Sequence, residues 1–262
     1  MSGAGGLIAR AARILAQAGV DTPELDAELL LAFAVGTDRT GLVTDPPHHA
    51  PAGFQQLIER RAGREPVAYI VGAKGFRHIE LTVDRRVLIP RPETETLVEV
   101  ALELPAGASV HDVGTGSGAV ALALAQERPD LAVSGSDASA DAVEVARANA
   151  RRLGLAVPFE VARGLPPGEF DLVVANLPYV REDEWAGLEP ELTRYEPRSA
   201  LVSGGSDGLD AIRELVAEAP SGMWLALEHA PAQAAEVRGL LDGARTVRDL
   251  AGRERVTAGA AP

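Results

Sequence analysis

The spacing of apolar positions changes twice along the chain. Up to about residue 70 they recur every three to four residues, as on one face of a helix. Leu7, Ile8, Ala11, Ala12 and Leu15 predict a first helix ending at Gly19. Thr22 and Pro23 predict the cap and first turn of a second, which carries Leu25, Leu29, Leu30 and Phe33 on one face before Gly36. Thr44-Asp45-Pro46-Pro47-His48-His49 breaks the pattern, and Pro51 opens a third helix with Phe54, Leu57 and Ile58. From Gly75 the pattern alternates. Phe76, Ile79, Leu81 and Val83 predict a β-hairpin arm that Val87-Leu88-Ile89 continues. After about residue 105 short apolar runs alternate with helical stretches. Strands are predicted over 108–113, 131–136, 157–161, 170–175 and 222–228, with two short ones near 245–250 and 254–258. Helices are predicted over 117–127, 139–153, 206–218 and 231–242. This alternation predicts a doubly wound α/β sheet, parallel but for its late antiparallel strands, with helices on both faces. The expected division is a helical domain over 1–72, a β-hairpin linker over 73–90 and an α/β domain over 91–262.

One of these strands ends abruptly. Phe170, Leu172, Val173 and Val174 form a buried run that stops at Asn176-Leu177-Pro178-Tyr179. An amide, a proline and an aromatic then stand at the carboxyl end of a parallel strand, where open α/β sheets bind ligands. Asn176 offers an acceptor oxygen, Pro178 biases Leu177 toward an extended backbone, and Tyr179 can wall a planar group. The plainer reading of this tetrapeptide alone is a strand closed by a proline turn.

Composition narrows the classes. Of 262 residues, 46% are hydrophobic and 24% charged, as in ordinary globular proteins. No apolar run is long enough to span a membrane, and the first residues lack the basic-then-apolar layout of a signal peptide. With no cysteine, disulfides, thiolate metal sites and cysteine nucleophiles are excluded. A cytoplasmic location is expected. The net charge of −13 argues against a broad phosphate-binding face, so nucleic acid is not expected as a main partner. His48 and His49 have no acidic or histidine partner at a ligand spacing and read as a solvated loop; no metal is expected.

The first strand of the sheet runs into Asp112-Val113-Gly114-Thr115-Gly116-Ser117-Gly118. Its Gly-x-Gly-x-Gly spacing is one residue short of the dinucleotide fingerprint that seats a pyrophosphate on a helix N-terminus. The shorter loop, with Asp112 upstream, suits a ligand whose amino-acid end carries an ammonium group. Asp137 ends the next strand, where a carboxylate can accept both hydroxyls of a ribose. Either aspartate alone is equally a helix cap. The two acids together with the glycine loop and Asn-x-Pro-Tyr point to S-adenosylmethionine, with S-adenosylhomocysteine as product, over nicotinamide or flavin cofactors. The turn Pro90-Arg91-Pro92-Glu93-Thr94-Glu95 adds Arg91, Glu93 and Glu95 as candidates for a cleft edge.

These residues resemble the release factor glutamine methyltransferases, the HemK/PrmC family, over nearly the whole chain. Arg64 through Gly72 and Leu88 through Glu95 resemble the family's linker signatures, and Asp112 through Gly118 its cofactor loop. Glu196-Pro197-Arg198, Gly205 through Leu209 and Asp249 through Arg255 resemble its later blocks. The resemblance implies a helical substrate-docking domain and a Rossmann-like class I methyltransferase domain. It implies as partner a peptide chain release factor, methylated on the glutamine of a Gly-Gly-Gln loop, and as catalytic and substrate-binding residues Asn176, Leu177, Pro178 and Tyr179. A monomer is expected. Leu177 stands where the family has proline, and Asn-Leu-Pro-Tyr is typical of ribosomal-RNA adenine dimethylases. Glu228-His229-Ala230 stands where the family has Glu-Ile-Gly, and Arg163-Gly164-Leu165 where it has residues near the adenine. An N-methyltransferase acting on an RNA adenine or a small molecule, and a cofactor-binding scaffold without turnover, are the alternative readings.

Overall fold

Strands apolar along their whole length need cover on both faces, and the helices between them supply it. The computed structural model describes residues 3–262; Met1 and Ser2 of the expected helical domain lie outside the described residues. The chain divides into two compact units. Residues 1–73 together with Glu189–Tyr195 form the first, and 74–188 with 196–262 the second.

The first unit holds α1 (Ala4–Gln17), α2 (Pro23–Val35), α3 (Arg39–Thr44), α4 (Phe54–Ala62) and α5 (Val67–Val71). Leu15, Leu30, Leu31 and Ile58 are the centre of its core. Two details depart from the sequence pattern. Helix α2 is apolar nearly all round, so its periodicity does not define its inner face. Asp26, Ala27, Leu30 and Leu31 are buried, whereas Leu25 and Phe33 are exposed. Thr22 precedes Pro23 as expected, yet its hydroxyl donates to Asp26 Oδ1 at 3.0 Å instead of capping the helix. The buried Asp26 accepts from Arg61 Nε at 2.6 Å, and Arg61 Nη1 reaches Glu191 at 2.7 Å. Glu191 is held by both nitrogens of the Arg64 fork as well, each at 2.7 Å. A seven-residue segment with no apolar periodicity of its own thus belongs to the helical unit through its carboxylate.

The second unit, from Lys74, opens within the hairpin of β1 (Ala73–Phe76) and β2 (Ile79–Thr82). Val87-Leu88-Ile89 does not extend it. Val87 and Ile89 are buried, but after the turn at 85–86 the segment is irregular and runs into Pro90, which cannot donate to a ladder. Next come α6 (Glu95–Leu102), β3 (Ser109–Val113), α7 (Ala119–Glu127), β4 (Ala132–Asp137), α8 (Ala140–Leu153), β5 (Phe159–Val161) and β6 (Leu172–Ala175). The chain continues through α9 (Pro190–Tyr195), which belongs to the first unit, then α10 (Asp210–Glu218), β7 (Trp224–Glu228), α11 (Ala234–Arg238), β8 (Asp242–Arg248) and β9 (Glu254–Ala260). The sheet order is β5-β4-β3-β6-β7-β9-β8, with β9 antiparallel to both its neighbours, as expected of the late strands. The helix expected over 231–242 is shorter, because β8 already begins at Asp242.

The strand order reverses between β3 and β6. A crevice forms there at the carboxyl ends of the strands. Val113 lies beside Ser136 and Ala175, and Ala175 beside Leu227. The residues that follow, from Gly114, Asp137, Asn176 and Glu228, therefore share one end of the sheet.

Candidate active site

The glycine loop between β3 and α7 is built from its own backbone. Gly114 and Thr115 donate their N–H groups to Ser136 O, both at 2.9 Å, and Gly116 N donates to Asp137 Oδ2 at 2.9 Å. Gly114 has φ +74°, and a Cβ there would lie 3.1 Å from Leu177 Cδ2, so the loop passes tightly beside the tetrapeptide. Gly116, at φ +56°, has open space where a Cβ would be. Ser117 is buried, with its carbonyl accepting from Asn149 Nδ2 at 2.9 Å, and Gly118 caps α7.

Asp112 corrects an expectation. It is 2% exposed, and Thr115 Oγ1 donates to its Oδ2 at 2.6 Å. Its carboxyl is turned onto the loop, which it holds from below, and does not reach for a ligand's ammonium group. Burial pushes its pKa up to about 7. Asp137 is more open. Gly116 N and Ser139 N each donate to one of its oxygens, leaving a further acceptor site on each for a vicinal diol. Val161, paired with Asp137 in the sheet and 53% exposed, adds an apolar surface at the same rim.

After β6, Asn176, Leu177, Pro178 and Tyr179 are all half-buried. Asn176 Nδ2 donates to Thr94 Oγ1 at 3.0 Å. Among the described residues neither Asn176 Oδ1 nor the Leu177 carbonyl oxygen accepts a hydrogen bond. The Leu177 side chain packs against the buried cluster that includes Val113, Val173 and Leu209. Tyr179 OH donates to Glu228 Oε1 at 3.2 Å, and its carbonyl accepts from Gln233 Nε2 at 2.9 Å. Burial and the Glu228 charge raise the Tyr179 phenol, which stays protonated. Glu228 is 1% exposed, and its carboxyl is pushed up to about 7 by burial, against the pull of Thr94, Arg255 and Tyr179.

The Pro-Arg-Pro turn divides its charged residues. Glu93 is half-buried and close enough for its charge to act on Tyr179 and Glu228. Arg91 does not serve a cleft edge. It pairs with the buried Glu196, which also accepts from Ile89 N at 3.1 Å, so this arginine fastens the turn. Glu95 likewise accepts from Arg77 N at 3.0 Å. Thr94 and Gln233 are residues whose role motif reading passes over. Thr94 has the place of a helix-start threonine, and Glu228, noted in the sequence only as the first residue of a departing block, ends an otherwise apolar strand.

Two buried carboxyls near neutrality make stability depend on pH in an unusual direction. Below its ordinary value each is protonated in both folded and unfolded chains. Between that value and about 7 only the folded chain keeps the proton, so rising pH destabilises it until both forms are ionised. Buried His111 and His229, whose burial depresses their pKa (to about 4 for His111), act oppositely, but only below the ordinary imidazole value. Folding stability should therefore fall as pH rises from about 6.5 through 7, losing on the order of 1 kcal/mol for each carboxyl before both forms are ionised. Calorimetry across this range should show Asp112→Asn flattening the slope by about half, since one of two such groups is removed. An unchanged slope would show that Asp112 ionises normally.

Two family models match the chain. Residues 92–207 match the methyltransferase small domain and residues 6–72 the PrmC N-terminal domain. A sheet of this order, with a glycine loop at its reversal, is thus that of an S-adenosylmethionine-dependent methyltransferase. A solved methyltransferase from Pyrococcus furiosus, 17% identical, superposes with a TM-score of 0.50 over 68% of this chain and 86% of its own, a likeness of fold alone. The release factor glutamine methyltransferase of Pseudomonas aeruginosa is 46% identical, over 91% of this chain and 94% of that protein. That of Caulobacter vibrioides is 42% identical, over 94% and 92%. The chain belongs to the release factor glutamine methyltransferase family.

The site fits the cofactor. The open face of Gly116 leaves room for a ligand against the loop, the free acceptor sites of Asp137 suit a ribose diol, and Val161 suits an aromatic ring.

Proposed function

We propose that this chain methylates the side-chain amide nitrogen of the glutamine in the Gly-Gly-Gln loop of a peptide chain release factor. Family membership supports the substrate class. The observation that carries the chemistry is that the Asn176 amide is held through its nitrogen, while two acceptors of the tetrapeptide, Asn176 Oδ1 and the Leu177 carbonyl, stay open. A primary amide presents two N–H groups, and two acceptors match them.

An amide nitrogen is a poor nucleophile because its lone pair is delocalised into the carbonyl. Positioning is therefore the main task. Asn176 Oδ1 and Leu177 O would each accept one N–H of the substrate, fixing the nitrogen and raising its electron density. Tyr179, held at both its hydroxyl and its carbonyl, would wall the flat amide. S-adenosylmethionine supplies, when bound, a methyl group on a sulfonium, an electrophile needing no acid; Asp137, the loop at Gly116 and Val161 would hold it. The N-methylated amide is briefly cationic and strongly acidic, so it releases its proton to water without a dedicated base. The place of action in this reading is the cytoplasm, where release factors work.

Leu177 does not favour a base or a specialised small molecule as substrate. Its side chain lies with the core and against Gly114, and its carbonyl is the same acceptor a proline would supply. The test is transfer of labelled methyl from S-adenosylmethionine to purified release factor, with a variant whose loop glutamine is alanine. Label on the factor but not on the variant is expected. No label, with cofactor binding confirmed by calorimetry, would overturn the substrate.

A further inference from the structure

An asparagine amide can face a substrate either way round. If Nδ2 instead of Oδ1 met the substrate amide, donors would face donors and the substrate would be repelled. Something must therefore fix the amide. Among the described residues the side chain bonded to it is Thr94, whose Oγ1 accepts from Asn176 Nδ2 at 3.0 Å. Thr94 is buried, just ahead of α6, in the turn fastened by the Arg91–Glu196 pair.

A hydroxyl has one proton and two lone pairs, so the Thr94 oxygen can accept from the amide. It does so at 3.0 Å, which selects the amide nitrogen and leaves Asn176 Oδ1 without a donor among the described residues. Thr94 stands at the start of α6 and Asn176 directly after β6, so two elements packed in the same unit hold the two ends of this bond.

Resting on the reading above, we propose that Thr94 is the positioning residue that sets the orientation of the Asn176 amide. Thr94 itself touches no substrate. Its hydroxyl acts through Asn176.

Thr94→Val keeps the shape and removes the hydroxyl, whereas Thr94→Ser keeps the hydroxyl. Thr94→Val is expected to lower kcat about tenfold, the weight of one hydrogen bond to a half-buried group. KM and cofactor affinity should stay within about twofold, because the pocket wall and loop are untouched. Thr94→Ser should restore most of kcat. In parallel, solvent exchange of the Asn176 side-chain amide protons is followed by NMR. One of the two should be protected in the wild type, unprotected in Thr94→Val and protected again in Thr94→Ser. An unaltered kcat in Thr94→Val, equal damage from valine and serine, or no protected proton in the wild type would each overturn the proposal. A wild type inert toward the release factor would instead defeat the substrate reading, and the exchange measurement would still decide whether Thr94 holds Asn176.

Discussion

Asn176→Ala should abolish most methyl transfer while leaving S-adenosylmethionine binding close to its original strength. In the proposed reading the variant removes one of two acceptors for the substrate amide, leaving the substrate nitrogen free to rotate. Misplacement of a reacting group by an ångström costs about a hundredfold, and loss of the hydrogen bond adds to it. A fall in turnover of the order of 10²- to 10³-fold is expected, or about 3–4 kcal/mol. Rate measurements alongside calorimetric titration of cofactor separate the two effects. If affinity for the cofactor collapsed along with turnover, Asn176 would belong to the cofactor's own site. Asp137→Ala is the converse control. It removes the carboxylate that holds both Gly116 and Ser139 and would meet the ribose, so binding should weaken first.

The second large effect belongs to the helical unit. Asp26→Ala should unfold the helical unit preferentially, costing about 3 kcal/mol. Arg61 is buried, and Asp26 at 2.6 Å is one of its two carboxylate partners. Removing that partner leaves a charge in an apolar core with half its compensation. Glu191, at 2.7 Å, and the Glu65 carbonyl keep the loss at the lower end of the range for broken buried pairs. Hydrogen exchange should show amides of α1, α2 and α4 losing protection while those of the β3–β6 pair barely change. The double variant Asp26→Leu with Arg61→Met should recover much of the loss, because two matched apolar side chains need no compensation. Uniform loss of protection across both units would show that the network is not confined to the first.

What could be read from sequence follows the range of each interaction. The glycine loop was legible because positive φ at Gly114, Gly116 and Gly118 is a local backbone demand that few other residues meet. The strand before Asn176 was legible because four consecutive buried residues, Leu172 to Ala175, leave little alternative to a central strand. The inner face of α2 was not, since its buried side is set by an arginine 35 residues on. Arg91 looked like a ligand-binding arginine because its partner Glu196 lies 105 residues away. Thr94 escaped for the same reason: its bond to Asn176 joins the start of α6 to a strand end 82 residues on, made by tertiary packing alone. Asp112 was placed correctly at the loop, yet its direction, down onto Thr115 and not outward, depends on side-chain rotation that spacing does not encode.

The helical unit takes α9 from between two stretches of the other unit, and this bears on how the protein can be dissected. A single cut after Ala73 would not yield two whole pieces. The amino-terminal fragment would carry Arg61 and Arg64 without Glu191, and the carboxyl-terminal fragment would carry a six-residue helix stripped of its counterions. Exchanging this unit for that of a relative, whether by recombination or by design, therefore requires two intervals to move together, 1–73 and 189–195. A graft that transplants only the first would inherit arginines calibrated to a carboxylate left behind in the donor.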